Sequence, residues 1–243
     1  MKILGVIPAR YGSSRFPGKP LADICGKPMI WWVYQQAKNS RVDDLVVATD
    51  DERIVEACKN ENIPVIMTSN TLETPNDRVY EVSKLIIADI YVCINGDEPL
   101  IDPEVINCVL PDYNEDIKMY YANAITTIRN PIEVMDVTNI KAVVNDKGEA
   151  LWASRMPIPY PKGNVNFNYK KIIGVAAFSK DALDYYSNTP RSEVERLEEL
   201  DLYRFLVNHK IVKLKEIECT TLSVDTPKDL LYVREVINKR MEK

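Results

Sequence analysis

Short apolar runs alternate with amphipathic segments through the first 110 residues of the chain. The apolar runs, typical of buried strands, are KILGVIPA, DLVVATD, IPVIMTS and DIYVCINGDEP. The segments between them place apolar residues at helical spacing, and they are MIWWVYQQAKNS, DERIVEACKNEN and NDRVYEVSKLII. This alternation predicts an α/β fold, Rossmann-like, with a mostly parallel sheet and helices on both of its faces.

The pattern changes over residues 111–170. Here MYYANAITTI, IKAVVND and KGEALWASR predict hairpin-like strands, and the Pro-rich MPIPYPKGNVNFNY predicts a loop. We therefore expect one domain over residues 1–243, with a small β-rich lobe inserted at about 111–170. Beyond the lobe, the pattern predicts a strand at IIGVAAFS, a helix over 180–187, an acidic helix over 192–209, a strand at LSVDT and a C-terminal helix from Pro227.

Composition and charge narrow the class of protein. A formal net charge of −5 argues against a surface devoted to nucleic acid. No apolar run reaches the roughly 20 residues that cross a bilayer, and Met1–Ile7 is too short for a signal sequence, so we expect a cytoplasmic protein without a membrane partner. The five cysteines are scattered without C-x-x-C spacing, which disfavours both zinc and a disulfide framework.

The segment after the first apolar run, IPARYGSSRFPGKPL, combines glycines with cationic side chains. Gly12 and Gly18 would let backbone N–H groups approach an anion, while Arg10, Arg15 and Lys19 would supply positive charge. Loops that leave the first strand of an α/β sheet commonly bind phosphates. The segment matches neither the P-loop nor the dinucleotide-binding pattern, and a solvated basic loop is the alternative on composition alone.

Acidic residues follow two of the predicted strands. INGDEPLID places Asp97 and Glu98 after one strand, and LSVDTPKDL places Asp225 at the end of another. Two carboxylates at neighbouring strand ends would suit Mg²⁺, which could bridge phosphates held by the basic loop. For Asp225 alone, capping of the following helix is an equal alternative, because Asp-Thr-Pro commonly starts a helix.

Several segments together resemble a known family, the CMP-Kdo synthetases or 3-deoxy-manno-octulosonate (Kdo) cytidylyltransferases. The segments that carry the resemblance are IPARYGSSRFPGKPL, GKPMI, VVATDDERI, INGDEP, NIKAVVNDKGEALWASRMPIP and VDTPKDL. The resemblance implies the nucleotide-diphospho-sugar transferase type of fold. It implies a reaction in which the anomeric hydroxyl of an acidic sugar attacks the α-phosphorus of CTP, giving a CMP-sugar and pyrophosphate for surface polysaccharide such as lipopolysaccharide or capsule. It also implies a homodimer in which the inserted lobe forms much of the contact.

The same resemblance assigns roles to individual residues. The triphosphate ligands it implies are Arg10, Ser13, Arg15 and Lys19, with Arg78 in the nucleotide pocket. The Mg²⁺ ligands it implies are Asp97 and Asp225, and the catalytic residues are Arg10, Lys19 and Asp97. On the acceptor side, Arg155 would meet the carboxylate of the sugar acid and Glu198 would lie close by.

The departures from the family pattern fall mainly on the acceptor side. Leu72, Thr74, Pro75 and Asn76 replace residues of the family's H-x-S-G-T, Asn95 replaces the glutamine of Q-G-D-E-P, Ile172 and Ala176 replace a histidine and a tyrosine, and Glu199 replaces the glutamine of LEQL. Lost polar contacts in a buried site cost roughly 1–3 kcal/mol each. The sequence therefore predicts an intact nucleotide half and a remodelled acceptor half, which fits Kdo, 8-amino-Kdo or another 2-keto-3-deoxy acid.

Two other functions remain open at this point. Nucleotidyl transfer to a phosphorylated acceptor, giving a diphosphate-linked product, would need cations beyond Arg155, and Lys141 or Arg191 could supply them. A non-catalytic nucleotide or sugar sensor is the third possibility. It would be favoured by missing metal carboxylates, but Asp97 and Asp225 are both present.

Overall fold

The computed structural model describes residues 1–12, 16–163, 167–220 and 222–241. In chain order the elements are β1 (Ile3–Ala9), a 3-10 helix (Lys19–Leu21), β2 (Asp23–Ile24), β3 (Lys27–Pro28), α1 (Met29–Lys38), β4 (Asp44–Thr49), α2 (Glu52–Asn60), β5 (Val65–Met67), α3 (Pro75–Ser83), β6 (Ile90–Ile94), α4 (Pro103–Cys108), β7 (Tyr121–Thr127), α5 (Pro131–Met135), β8 (Lys141–Val144), β9 (Ala150–Ser154), β10 (Lys170–Ser179), α6 (Lys180–Asn188), α7 (Glu193–Glu198), α8 (Tyr203–Leu206), β11 (Lys213–Glu216) and α9 (Pro227–Met241).

The chain divides into two compact units. The first unit comprises Met1–Asn107 with Thr220–Lys243, and the second comprises Cys108–Cys219. The second unit contains the predicted β-rich lobe of about 111–170 and continues beyond it through β10, three helices and β11. The contribution of this lobe to a dimer stays a prediction.

The first unit is built on parallel strands. β1 pairs in parallel with both β4 and β6, and β4 pairs in parallel with β5, which gives the order β6-β1-β4-β5. β1, β4 and β6 are almost wholly buried, as expected for strands covered on both sides. Helices α1, α2 and α3 connect these strands and pack on them. This arrangement confirms the predicted α/β class.

The helices of the first unit begin at residues suited to capping. Asp51 accepts a hydrogen bond from the Arg53 N–H at 2.9 Å and caps α2. Thr74 and Asp77 form a reciprocal capping box at the start of α3, with Pro75 as its first residue. These local signals fix where each helix starts.

The second unit carries mainly antiparallel strands. β10 pairs antiparallel with β7 and β8, β8 pairs antiparallel with β9, and β11 pairs in parallel with β7. The register of β10 against β7 shifts between Ile172 and Ala176, which marks a bulge in β10. Tyr121 stacks on Phe178 across this pair, and Phe205 of α8 packs on the same tyrosine ring.

Two secondary-structure predictions are wrong. Residues 222–226 form no strand, although LSVDT has the composition of one. The acidic helix predicted over 192–209 is broken into α7 and α8, because Glu199 takes a left-handed conformation with φ 53° and ends α7. Neither glycine nor proline marks this break, so the sequence gives little warning of it.

None of the helices in the described part of the chain has the length and apolar character that crossing a membrane requires.

Candidate active site

A cavity of about 200 Å³ opens in the first unit at the carboxyl ends of β1 and β6. These strands are parallel neighbours, so the residues that follow them meet at one edge of the sheet. The charged or polar residues that line the cavity include Arg10, Lys19, Arg78, Asn95, Asp97 and Asp225. The structure therefore brings most of the predicted nucleotide and metal residues into one cavity.

Gly96 allows the two strand ends to approach each other closely. A Cβ atom at this position would lie 2.9 Å from the main-chain carbonyl oxygen of Pro8, closer than a real Cβ contact allows. Only glycine avoids this collision with backbone. The short separation places Asp97 directly beside the start of the basic loop.

Lys19 lies between two carboxylates that are distant in sequence. Its Nζ atom is 2.9 Å from Asp97 Oδ2 and 3.4 Å from Asp225 Oδ1. The three side chains are 14%, 27% and 28% exposed, so they are partly shielded from solvent. One cation thus occupies a position on which two carboxylates converge.

The base of the loop that precedes Lys19 is closed by contacts to Tyr11. The Gly18 N–H donates to the Tyr11 carbonyl at 2.9 Å, and Gly18 has φ 72°, a left-handed conformation that favours glycine. The Arg53 guanidinium stacks on the Tyr11 ring 3.2 Å from its centroid and also hydrogen-bonds Asp51. That hydrogen bond lowers the pKa of Asp51. The sequence did not predict this contact between Tyr11 and Arg53, because the two residues are far apart in the chain and no local pattern links them.

The surroundings of Asp225 show which residues cap the following helix. Thr226, directly before α9, donates its N–H and hydroxyl to Asp229 Oδ2 at 2.8 Å each, so this pair caps the helix. The N–H of Val224 donates to the Asp97 carbonyl at 2.8 Å and ties the two acidic segments together. The carboxylate of Asp225 faces Lys19 instead, although no strand precedes it as the sequence predicted.

Arg78 is held rigidly at the cavity wall. Its side chain is 4% exposed, and Nη2 donates to Asp50 Oδ2 at 2.9 Å while Nη1 donates to the Thr68 hydroxyl. Buried arginine of this kind keeps a fixed orientation because its hydrogen bonds are charge-assisted. Asp50 and Thr68 were not predicted as site residues. Asp50 follows β4 and could have been found by the rule that ligand-binding residues follow parallel strands.

Four of the first-unit residues that depart from the family pattern also line this cavity. They are Leu72, Thr74, Pro75 and Asn95. Thr74 and Pro75 additionally start α3, so their identities are partly explained by helix capping. Three further departures lie in the second unit, Ile172 and Ala176 on β10 and Glu199 at the end of α7.

Arg155 and Glu198 come together in the second unit. The Arg155 N–H donates to Glu198 Oε2 at 2.9 Å, and Arg155 Nε donates to the Glu198 main-chain carbonyl at 2.8 Å. Ser154 donates its hydroxyl to Glu198 Oε1 at 2.7 Å. The two predicted acceptor residues are thus direct partners.

Two of the predicted triphosphate ligands, Ser13 and Arg15, lie outside the described residues.

The carboxylate pair fits a divalent cation. Asp97 and Asp225 present oxygen atoms to one ammonium group, and carboxylate oxygens are the ligands that Mg²⁺ prefers. Within the described ranges, no group of three or more potential ligands among His, Cys, Asp and Glu comes together. The protein would thus supply two ligands, and phosphate and water oxygens would have to complete the shell.

Comparison with known proteins identifies the family. The family model described as cytidylyltransferase matches residues 4–217. The chain is 39% identical to 3-deoxy-manno-octulosonate cytidylyltransferase of Escherichia coli, covering 99% of this chain and 98% of that protein. It is 36% identical to the mitochondrial 3-deoxy-manno-octulosonate cytidylyltransferase of Arabidopsis thaliana, covering 98% and 84%.

Solved structures agree with this assignment. A structure of CMP:2-keto-3-deoxy-manno-octonic acid synthetase complexed with CTP superimposes with a TM-score of 0.92 at 39% identity, covering 99% of this chain and all of that one. A putative glucose-1-phosphate thymidylyltransferase from Bacillus anthracis has a TM-score of 0.68 at 14% identity, covering 96% and 94%, and shares the fold. The chain therefore belongs to the cytidylyltransferase family, among its 3-deoxy-manno-octulosonate cytidylyltransferases.

Proposed function

We propose that the protein transfers the cytidylyl group of CTP to the anomeric hydroxyl of Kdo or a closely related 3-deoxy sugar acid and releases pyrophosphate. Full-length relatives at 39% identity carry the name of this activity, and a related structure holds CTP. The single observation in this chain that supports it most is the convergence of Lys19, Asp97 and Asp225 in one cavity. CMP-activated sugar acid would then serve surface polysaccharide synthesis in the cytoplasm.

The nucleotide would bind at the carboxyl edge of the parallel sheet. Arg10 and Lys19 line the cavity and supply positive charge for the triphosphate, with Ser13 and Arg15 as further proposed ligands. Arg78, fixed by Asp50, would contact the nucleotide from the wall of the cavity. Cations placed here stabilise the charge that develops on phosphoryl oxygens and on the leaving pyrophosphate.

Mg²⁺ is the proposed cofactor, held by Asp97 and Asp225. Bound there, it would polarise the phosphates and acidify the attacking hydroxyl. Lys19 neutralises the same two carboxylates in the structure, so it would exchange them for the phosphates when metal and nucleotide are present. The chemistry needs no histidine base, and the chain's single histidine, His209, is exposed in the second unit.

The acceptor would be recognised by the second unit. Arg155 is the proposed partner of the sugar carboxylate, because the side-chain hydrogen bonds of its guanidinium go to neutral main-chain carbonyls. Glu198, which is held by Ser154, would accept hydrogen bonds from sugar hydroxyls or an amino group. Ile172 and Ala176 supply no polar atoms from their side chains, so the choice among Kdo, 8-amino-Kdo and related acids depends on other contacts.

Transfer to a phosphorylated acceptor has less support. Lys141 is 0% exposed, and Arg191 Nε lies 3.6 Å from Glu195 Oε1, so the structure directs both additional cations to other groups.

The choice between these two functions is tested by pyrophosphate release with CTP or UTP across a panel of Kdo, 8-amino-Kdo, sialic acids and sugar phosphates. Release with one 3-deoxy sugar acid and CTP alone is expected. Release with sugar phosphates alone would refute the proposal.

A homodimer formed through the lobe of the second unit is also part of the proposal. Leu151, Trp152, Met156 and Tyr160 are 56%, 44%, 59% and 84% exposed, and apolar groups in one region of a surface often mark an interface. Sedimentation at micromolar concentration is expected to show twice the chain mass of 27.8 kDa.

Met156→Glu is expected to shift this equilibrium towards the monomer, because it places a charge in the proposed apolar contact. The matched control is Leu85→Glu, which places the same charge at a 63% exposed position of the first unit. A wild-type protein that sediments as a monomer at this concentration would contradict the dimer.

A further inference from the structure

Lys141 is a charged residue inside the second unit. It lies on β8 between Lys171 of β10 and Ser154 of β9 in the strand register, and it is 0% exposed. Burial of an ammonium group is costly unless it is paired or hydrogen-bonded, and burial lowers the pKa of Lys141 accordingly. The hydrogen bonds of its ammonium group therefore have to compensate for this burial.

The contacts of Lys141 go to the turn between α5 and β8. Its Nζ donates to the main-chain carbonyl of Asp136 at 2.9 Å and to that of Asn139 at 2.6 Å. Within the same turn, Asp136 Oδ1 accepts from the Thr138 N–H at 2.8 Å. One ammonium group thus holds both ends of the turn.

Arg155 depends on a carbonyl between these two ends. Its Nη1 donates to the Val137 carbonyl at 3.1 Å, and its Nε donates to the Glu198 carbonyl at 2.8 Å. The carboxylate of Glu198 is occupied by the Ser154 hydroxyl and the Arg155 N–H. Main-chain carbonyls therefore orient the guanidinium without cancelling its positive charge, which suits it for binding an anion.

We propose that Lys141 is a positioning residue for Arg155: by fixing the turn 136–140 it holds the Val137 carbonyl that orients the guanidinium towards the carboxylate of the sugar acid. This inference rests on the proposed function, which makes Arg155 the partner of that carboxylate. Lys141 itself is buried, so we assign it no direct contact with the acceptor. Its loss would remove the donor that ties the Asp136 and Asn139 carbonyls together and would release the turn that carries Val137.

Lys141→Met tests the proposal, since methionine keeps the length of the side chain and removes the N–H donors. With CTP and Mg²⁺ saturating, the KM for the acidic acceptor is expected to rise about tenfold, the loss that accompanies a weakened hydrogen bond to a charged group. The KM for CTP is expected to stay within about twofold. A general loss of structure would change both constants.

Lys171→Met is the matched control. Lys171 lies opposite Lys141 in the register and pairs with Glu133 at 2.6 Å, so its replacement removes one positive charge from the same face without touching the turn carbonyls. The acceptor KM of this variant is expected to stay within about twofold of wild type. An equal rise in both variants would overturn the proposal, because charge alone would then explain it.

A double-mutant cycle tests whether Lys141 acts through Arg155. In an Arg155→Lys background, which keeps a charge but loses the fork geometry, Lys141→Met is expected to raise the acceptor KM by less than about twofold. If Lys141→Met raised the acceptor KM tenfold in this background as well, the two residues would act independently, and the inference would be overturned.

If Lys141→Met fails to fold, Lys141→Gln replaces it in each of these experiments, because glutamine keeps amide N–H donors without the charge.

A readout without turnover separates this inference from the proposed function. The Nε–H resonance of Arg155, assigned by its loss in Arg155→Lys, is expected to exchange slowly with solvent in wild type and faster in Lys141→Met. Unchanged exchange would overturn the positioning role. If the Arg155 Nε–H exchanged slowly in wild type and faster in Lys141→Met, but the protein used no sugar acid, the positioning role would be kept. The proposed transfer to a sugar acid would then be refuted.

Discussion

Asp97→Asn is expected to lower the turnover number about a thousandfold, because the amide would not supply the charge that we propose holds Mg²⁺ against the phosphates. Asp225→Asn is expected to cause a loss of the same order. Both side chains contact Lys19 and are partly exposed, so neither change removes a buried packing group. Initial rates of pyrophosphate release with CTP, Mg²⁺ and the acceptor measure the effect.

The matched control for these carboxylates is Asp44→Asn. Asp44 is 57% exposed and pairs with Lys2 on the surface of the first unit, so its neutralisation is expected to change the rate by less than about twofold. Thermal unfolding of each variant establishes that the fold is kept. Undiminished turnover in both Asp97→Asn and Asp225→Asn would exclude this pair as the metal site.

Lys19→Met is expected to have two opposite effects. Turnover should fall by about a hundredfold or more, because this change removes the charge proposed to stabilise the leaving pyrophosphate. Binding of Mn²⁺ without nucleotide should become tighter, because Asp97 and Asp225 lose the ammonium that now lies 2.9 and 3.4 Å from them. Electron paramagnetic resonance of free Mn²⁺ measures the second effect.

Lys38→Met serves as the control for this variant. Lys38 is exposed in the last turn of α1, so its loss is expected to leave both turnover and Mn²⁺ affinity unchanged. If Lys19→Met bound Mn²⁺ more weakly than wild type, the carboxylates and the ammonium would not be competing for one position. The proposed exchange between metal and lysine would then be wrong.

The parallel sheet and its carboxyl edge could be predicted because buried strands have a distinctive composition. β1, β4 and β6 are short apolar runs, and the residues that follow parallel strands must meet at one edge. Lys19 and Asp97 could therefore be assigned to one site from the sequence. Their separation of 78 positions shows that this inference depends on topology and not on local pattern.

Other features depend on contacts that composition does not encode. The left-handed Glu199 breaks a segment whose charges and apolar residues otherwise suit one helix. Asp225 follows no strand, and its orientation towards Lys19 is set by the Val224 hydrogen bond to Asp97 and by capping of α9 through Thr226. The sequence could propose both roles for Asp225, but only tertiary contacts show that Thr226 and Asp229 cap α9, and metal binding by Asp225 stays a prediction.

The hydrogen-bond partners that orient the predicted site residues could not be predicted from the sequence either. Arg78 could be predicted in the nucleotide pocket by resemblance, but its fixed orientation depends on Asp50, 28 positions away. The same holds for Arg155, whose guanidinium is oriented by carbonyls of Val137 and Glu198. Main-chain carbonyls have no residue identity, so no sequence pattern reveals them as partners.

The most direct test of the central claim is the ³¹P spectrum of a reaction with CTP, Mg²⁺ and Kdo or 8-amino-Kdo. Cytidylyl transfer to a sugar hydroxyl predicts one new phosphodiester resonance that grows in equal amount with pyrophosphate, while the three CTP resonances decline. A new pair of coupled diphosphate resonances, formed only when sugar phosphates replace the sugar acids, would contradict the account. Absence of any product from wild-type protein that binds CTP would contradict it equally.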